Sequence, residues 1–206
     1  MKNKDLSDKS YSSFTLDEIT MYFGTTLVED MSLFSDVESR QISDYLAVTL
    51  KKFVPLAKAI NTKKACSELI VAPVIAEFRE MLERKISFFS GIEFNVDKHR
   101  GLKGRCDFII SLTPEQYYLK APVINIVEAK NDNISSGLGQ CISTMIASQV
   151  FNQQKGNEIK YVYGIITTGV LWQFVKLEGN TAYIDIDDYH IGSSNKLMGV
   201  LLSMIE

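Results

Sequence analysis

The hydrophobic pattern of this chain first changes period near Gly91, and that change restricts the fold class more than any other feature. Before it, apolar residues recur at helical spacing: Ile42, Leu46, Leu50 and Phe53 in one segment, then Leu69, Val74, Ile75, Phe78 and Leu82 in the next. After it, residues 92–96 alternate, and residues 106–112 and 123–129 read as apolar strands. Residues 161–167, 170–177 and 182–186 are also β-rich, separated by Thr-Gly and Glu-Gly-Asn turn signals. Helical patterns cover about 140–151 and 195–205. Helices, three strands, a helix and more strands predict an α/β fold with a mixed sheet flanked by helices.

Two hydroxyl-to-glutamate spacings, Thr15-Leu-Asp-Glu18 and Ser35-Asp-Val-Glu38, match the capping box that opens a helix. They predict two N-terminal helices, the second running from about Asp36 towards Ile60 with Pro55 as a kink or stop. A third helix is expected from Thr62, carrying Glu68 early and interrupted by Pro73. The polar, serine-rich residues 1–13 read as a loose tail, 14–61 as a helical extension and 62–206 as the main domain.

With 206 residues, 46% hydrophobic and 23% charged, the chain is sized and composed like a folded domain. A formal charge of −3 denies it the basic footprint of a protein that coats nucleic acid, so any polyanion site must be local. Cys66, Cys106 and Cys141 are odd in number and lack zinc or disulfide spacing, which fits a reducing compartment. No run approaches the roughly 18 apolar residues of a membrane span, and the N-terminus has no apolar core region. A cytoplasmic protein is the expectation.

The segment Val123-Ile-Asn-Ile-Val-Glu-Ala-Lys130 is where chemistry concentrates. Alternation puts Glu128 and Lys130 on one face of an otherwise apolar strand, and charges at the edge of a core need partners or a metal. Taken alone, the pair reads as an ion pair at a sheet edge. Asp107 opens the preceding strand, and antiparallel pairing of the two strands would bring it to Glu128. Two carboxylates this close repel unless one is protonated or a cation lies between them, and hard oxygen ligands suit Mg²⁺ or Mn²⁺. Such an ion lowers the pKa of a bound water and neutralises a phosphoryl oxygen, with Lys130 beside it.

Asp107 followed by Glu128-Ala-Lys130 resembles the motif of the PD-(D/E)XK nuclease superfamily, whose restriction-endonuclease-like core is a mixed sheet flanked by helices. Glu68 resembles the additional helical acid of many members, and Gln140 falls where members often carry a glutamine. The stretch Gly164-Ile-Ile-Thr-Thr-Gly-Val-Leu-Trp-Gln-Phe174 is similar to the strand-turn-strand after the core in nuclease domains of type I restriction motor subunits. The resemblance covers about residues 62–186, and departs from the family in having Cys106, not proline, before Asp107. It implies a nuclease that hydrolyses phosphodiester bonds, with DNA favoured over RNA. It also implies metal ligation by Asp107, Glu128 and the Ala129 carbonyl, with Glu68 nearby, and catalytic roles for Lys130 and Gln140. The alternative is a catalytically inactive module of the same fold that binds nucleic acid or a partner subunit, and a third reading is a homodimer built on the N-terminal helices.

Lys98, Arg100, Lys103 and Arg105 crowd the loop before Asp107 and are the candidate nucleic-acid contacts, with Gly101 and Gly104 allowing close backbone approach. His99 and His190 lack partners at ligand spacing. Gly137-Leu-Gly139 has no lysine-serine pair to make a phosphate loop, and no GxSxG motif occurs. Trp172, Tyr161 and Tyr163 are read as packing residues.

Overall fold

Continuous apolar runs in strands require cover on both faces, and the computed structural model, which describes residues 5–130 and 133–205, provides it. The strands are β1 (Thr26–Met31), β2 (Ser87–Glu93), β3 (Arg105–Ser111), β4 (Val123–Ala129), β5 (Tyr161–Thr167), β6 (Leu171–Glu178), β7 (Thr181–Asp185) and β8 (Tyr189–His190). They form one sheet in the order β1-β7-β6-β5-β4-β3-β2, with β8 paired to β6 beyond the end of β7. β1 runs parallel to β7 and β4 to β5, and the other pairs are antiparallel, so the sheet is mixed.

Alternate residues of the central strands feed opposite cores. Phe108, Ile110, Ile165 and Phe174 pack with α2 (Asp44–Ile60), α4 (Ala72–Met81) and α6 (Ser194–Ser203). Ile109, Ile166 and Val175 pack with α5 (Leu138–Gln154) and with Ile19 of α1 (Leu16–Phe23). The expected α/β architecture with a flanked mixed sheet is therefore present. The bounds of β4 and β5 coincide with the expected segments. Residues 14–61 supply Phe14 and Ile19 to one core and Phe34, Ile42, Leu46, Leu50 and Ala57 to the other. Among the described residues, no helix is long and apolar enough to cross a membrane.

Several expectations need correction. Residues 5–13 are not a loose tail: Leu6 and Tyr11 are buried, and the Tyr11 hydroxyl donates to the Phe94 carbonyl at 2.6 Å. This strap also bonds the basic loop, through Leu6 N to His99 O at 2.9 Å and Tyr11 N to Lys103 O at 3.0 Å. Residues 1–4 of the expected tail lie outside the described residues. The Thr15 capping box opens α1 as expected, but Ser35 and Asp36 form a turn that runs into irregular chain at Val37 and Glu38, with no helix there. There the chain is held instead by α6, where Arg40 N donates to Asn195 O and Gly199 leaves room for the Glu38 carbonyl. Tertiary contact overrides the local cap, and α2 starts at Asp44 with Ser43 accepting from Leu46 N.

Pro55 lies inside α2, which continues to Ile60. Thr62 caps α3 (Lys63–Cys66), and a π-helical segment, Ser67–Val71, leads into α4 with Pro73 in its first turn. The wider turn before Pro73 accommodates a residue that has no N–H to give. β2 begins at Ser87 rather than at Ile92, with Gly91 as a positive-φ residue inside the strand rather than its boundary. Strands β1 and β8 were not anticipated from the pattern.

Candidate metal and catalytic site

The antiparallel register of β3 and β4, with Phe108 opposite Val127, carries Asp107 to the side of Glu128. The Ala129 N–H donates to Asp107 Oδ2 at 2.8 Å, which ties the start of one strand to the end of the other. The expected convergence of the acidic pair is present. Glu128 is 0% exposed, on a strand that ends only after Ala129.

Gln140, in the first turn of α5, links the pair to the lysine. Its Nε2 donates to Glu128 Oε2 at 2.5 Å, while its Oε1 accepts from Lys130 Nζ at 2.7 Å. The amide thus holds the acid and the lysine on its two ends without letting them meet directly. Lys130 reaches Gln140 across Gly137, where a Cβ would stand 2.8 Å from Lys130 Cε. Gly139 in turn admits the Phe14 carbonyl, to which a Cβ would approach within 2.2 Å. These glycines create clearance for a side chain and a strap, a role no phosphate-loop pattern would reveal.

The electrostatics of Glu128 set it apart. Its Oε1 is buried and accepts no hydrogen bond. Burial first, and then the charge of Asp107, push its carboxyl up to about 8, against the opposing pull of Lys130 and Lys63. Asp185 provides the contrast. That carboxylate is equally buried, but it accepts from Leu33 N at 3.1 Å, Asp187 N at 3.2 Å and the Tyr189 hydroxyl at 3.1 Å. Asp185 is a satisfied structural acid, whereas Glu128 keeps a bare oxygen beside a second carboxylate. A hard cation satisfies such an oxygen, so this donor set fits Mg²⁺ or Mn²⁺.

Glu68 does not join this cluster in any described contact. It lies in the π-helical segment, its side chain 61% exposed and 3.1 Å from Lys64. Among the described residues, no group of three or more histidine, cysteine, aspartate or glutamate side chains is placed to hold one ion. Lys63 is the residue that sequence reasoning missed, with Nζ 2.8 Å from Asp107 Oδ2. Only helix packing reveals it, since 44 positions separate the two residues.

The basic loop is divided in its duties. Lys98, Arg100 and Arg105 are exposed, while Lys103 donates to the Ser7 carbonyl of the strap. Arg100 lies over the Phe23 ring, 5.3 Å from its centroid, and Arg105 is 3.8 Å from Glu93. Gly101 and Gly104 pack against strap residues, including Phe14 and Tyr11. His190 Nδ1 accepts from Gly192 N, and the three cysteines are free and buried. Burial raises all three thiols, which disfavours the reactive thiolate.

No family model matches the chain, and no curated protein matches it in sequence.

Proposed function

We propose that this chain is a metal-dependent nuclease of the PD-(D/E)XK type, with a restriction-endonuclease-like core, hydrolysing phosphodiester bonds in DNA rather than RNA. The observation that carries this reading is the buried, donorless Glu128 oxygen beside Asp107, with Gln140 joining Glu128 to Lys130. A structural ion pair would direct Lys130 at Glu128 itself. Here the ammonium is held off by an amide and left available for another anion.

In this reading Asp107, Glu128 and the Ala129 carbonyl hold Mg²⁺ or Mn²⁺. When bound, the ion would supply Lewis acidity, lowering the pKa of a bound water and offsetting charge on a phosphoryl oxygen. Lys130 orients the attacking water or offsets charge growing on the phosphoryl oxygens, and Gln140 fixes its direction. Lys98 and Arg100 of the exposed loop and Arg105 at the start of β3 supply sequence-independent phosphate contacts. Lys103 is committed to the strap, and Glu68 faces Lys64, so this reading gives neither a part in the chemistry.

The second reading, an inactive module binding nucleic acid or a partner subunit, draws on Lys63 closing upon Asp107 and on the outward Glu68. Cleavage assays on supercoiled, linear and single-stranded DNA and on RNA, with Mg²⁺ or Mn²⁺, separate the two. The nuclease reading expects metal-dependent cutting of DNA that falls by at least about a hundredfold in Glu128→Gln and Lys130→Ala. Cutting of none of these substrates, or cutting that survives both substitutions, would favour the second reading.

A further inference from the structure

Lys63 is the charged group that the proposed reaction leaves without a task, although it touches the acidic pair. Thr62 caps α3 by accepting from Ala65 N at 3.2 Å, so Lys63 is the first residue of the helix. Lys64, in the same turn, is paired with Glu68. Lys63 reaches away from the helix to Asp107, with its side chain 45% exposed against 21% for the aspartate. The oxygen it approaches, Oδ2, already accepts from Ala129 N, whereas Glu128 Oε1 across the strand pair has no donor. A tethered ammonium therefore sits at the rim of the acidic pair, partly solvated and bound to one residue.

We propose that Lys63 is a built-in competing cation, which offsets the charge of Asp107 until a divalent ion binds and then pairs with a phosphate oxygen of bound nucleic acid. This inference rests on the reading of Asp107 and Glu128 as metal ligands. It has two consequences of opposite sign. Removing the ammonium leaves a more negative site, which binds a divalent ion more tightly. The same change removes a cation from the nucleic-acid surface, which weakens binding of a phosphate backbone.

The test is calorimetric titration of Mn²⁺ into wild type, Lys63→Met, Lys63→Arg, Lys64→Met and Asp107→Ala. It is joined by anisotropy measurements of a labelled mixed-sequence DNA duplex with Mn²⁺, comparing Lys130→Ala with Lys63→Met added to it, so that turnover does not intrude. Lys63→Met is expected to bind Mn²⁺ about tenfold more tightly, and to weaken duplex binding severalfold. Lys63→Arg and the neighbouring charge removal Lys64→Met stay within about twofold of wild type for Mn²⁺. Unchanged or weaker Mn²⁺ binding by Lys63→Met overturns the inference, as does duplex binding that the substitution leaves untouched. If wild type and Asp107→Ala do not differ towards Mn²⁺, the metal reading itself falls and takes the inference with it.

Discussion

Glu128 combines complete burial with a single donor, and its titration therefore carries a stability signature. Its ordinary value is 4.5, and in the folded chain burial and Asp107 push it up to about 8. Between those values the folded state keeps a proton that the unfolded state has released, so stability falls as pH rises from about 4.5 to about 8. Across that window each pH unit removes at most about 1.4 kcal/mol. Glu128→Gln keeps an acceptor for Gln140 and offers a donor towards Asp107, so urea unfolding should find it more stable than wild type at pH 8, by about 1–3 kcal/mol. The advantage should shrink below about pH 5. Equal stability of the two proteins at both pH values would contradict the burial argument. At this scale Asp107, Glu128 and Lys130 were legible because strand alternation and antiparallel register are local geometry, whereas Gln140 on α5 came only from the resemblance. Glu68 was assigned through the resemblance rather than from a residue pattern, and it lies in the π-helical segment paired with Lys64, in no described contact with the acidic pair.

The N-terminal strap shows how an element can be hidden from pattern reading. Leu6 and Tyr11 are isolated among polar residues, with no period to announce them, and their burial depends on a groove between the basic loop and α5. β1 escaped notice for a related reason, since an edge strand with mostly exposed residues, Thr-Leu-Val-Glu-Asp-Met, carries little alternation. Strands buried on both faces, such as β4 and β5, were located to the residue. The strap's contact with α5 can be tested at Gly139. A methyl group there would collide with the Phe14 carbonyl, so Gly139→Ala should destabilise the fold by about 1–3 kcal/mol in denaturant unfolding. Amide exchange should quicken at Leu6, Tyr11 and Lys103 together, because these share one set of contacts. A neutral substitution would mean that the strap is not seated on α5 as described.

Across the whole molecule, the sheet and α5 bring the acidic pair, the lysine and the bridging glutamine together from β3, the end of β4 and the first turn of α5. The α/β class and the flanked mixed sheet followed from the order of periodic segments, whereas the strand order needed the three-dimensional contacts. The acidic chain as a whole repels a polyanion, so under the proposed reading nucleic acid is met by the exposed cations Lys98, Arg100 and Arg105 and by a metal at the two carboxylates. The central claim is that Asp107 and Glu128 form one cation site. Calorimetric titration of Mn²⁺ into the wild type, beside the double variant Asp107→Ala with Glu128→Ala, tests it most directly. The account predicts saturable binding by the wild type and none by a folded double variant. Binding that survives both substitutions, or a wild type that binds nothing even with DNA added, would contradict it.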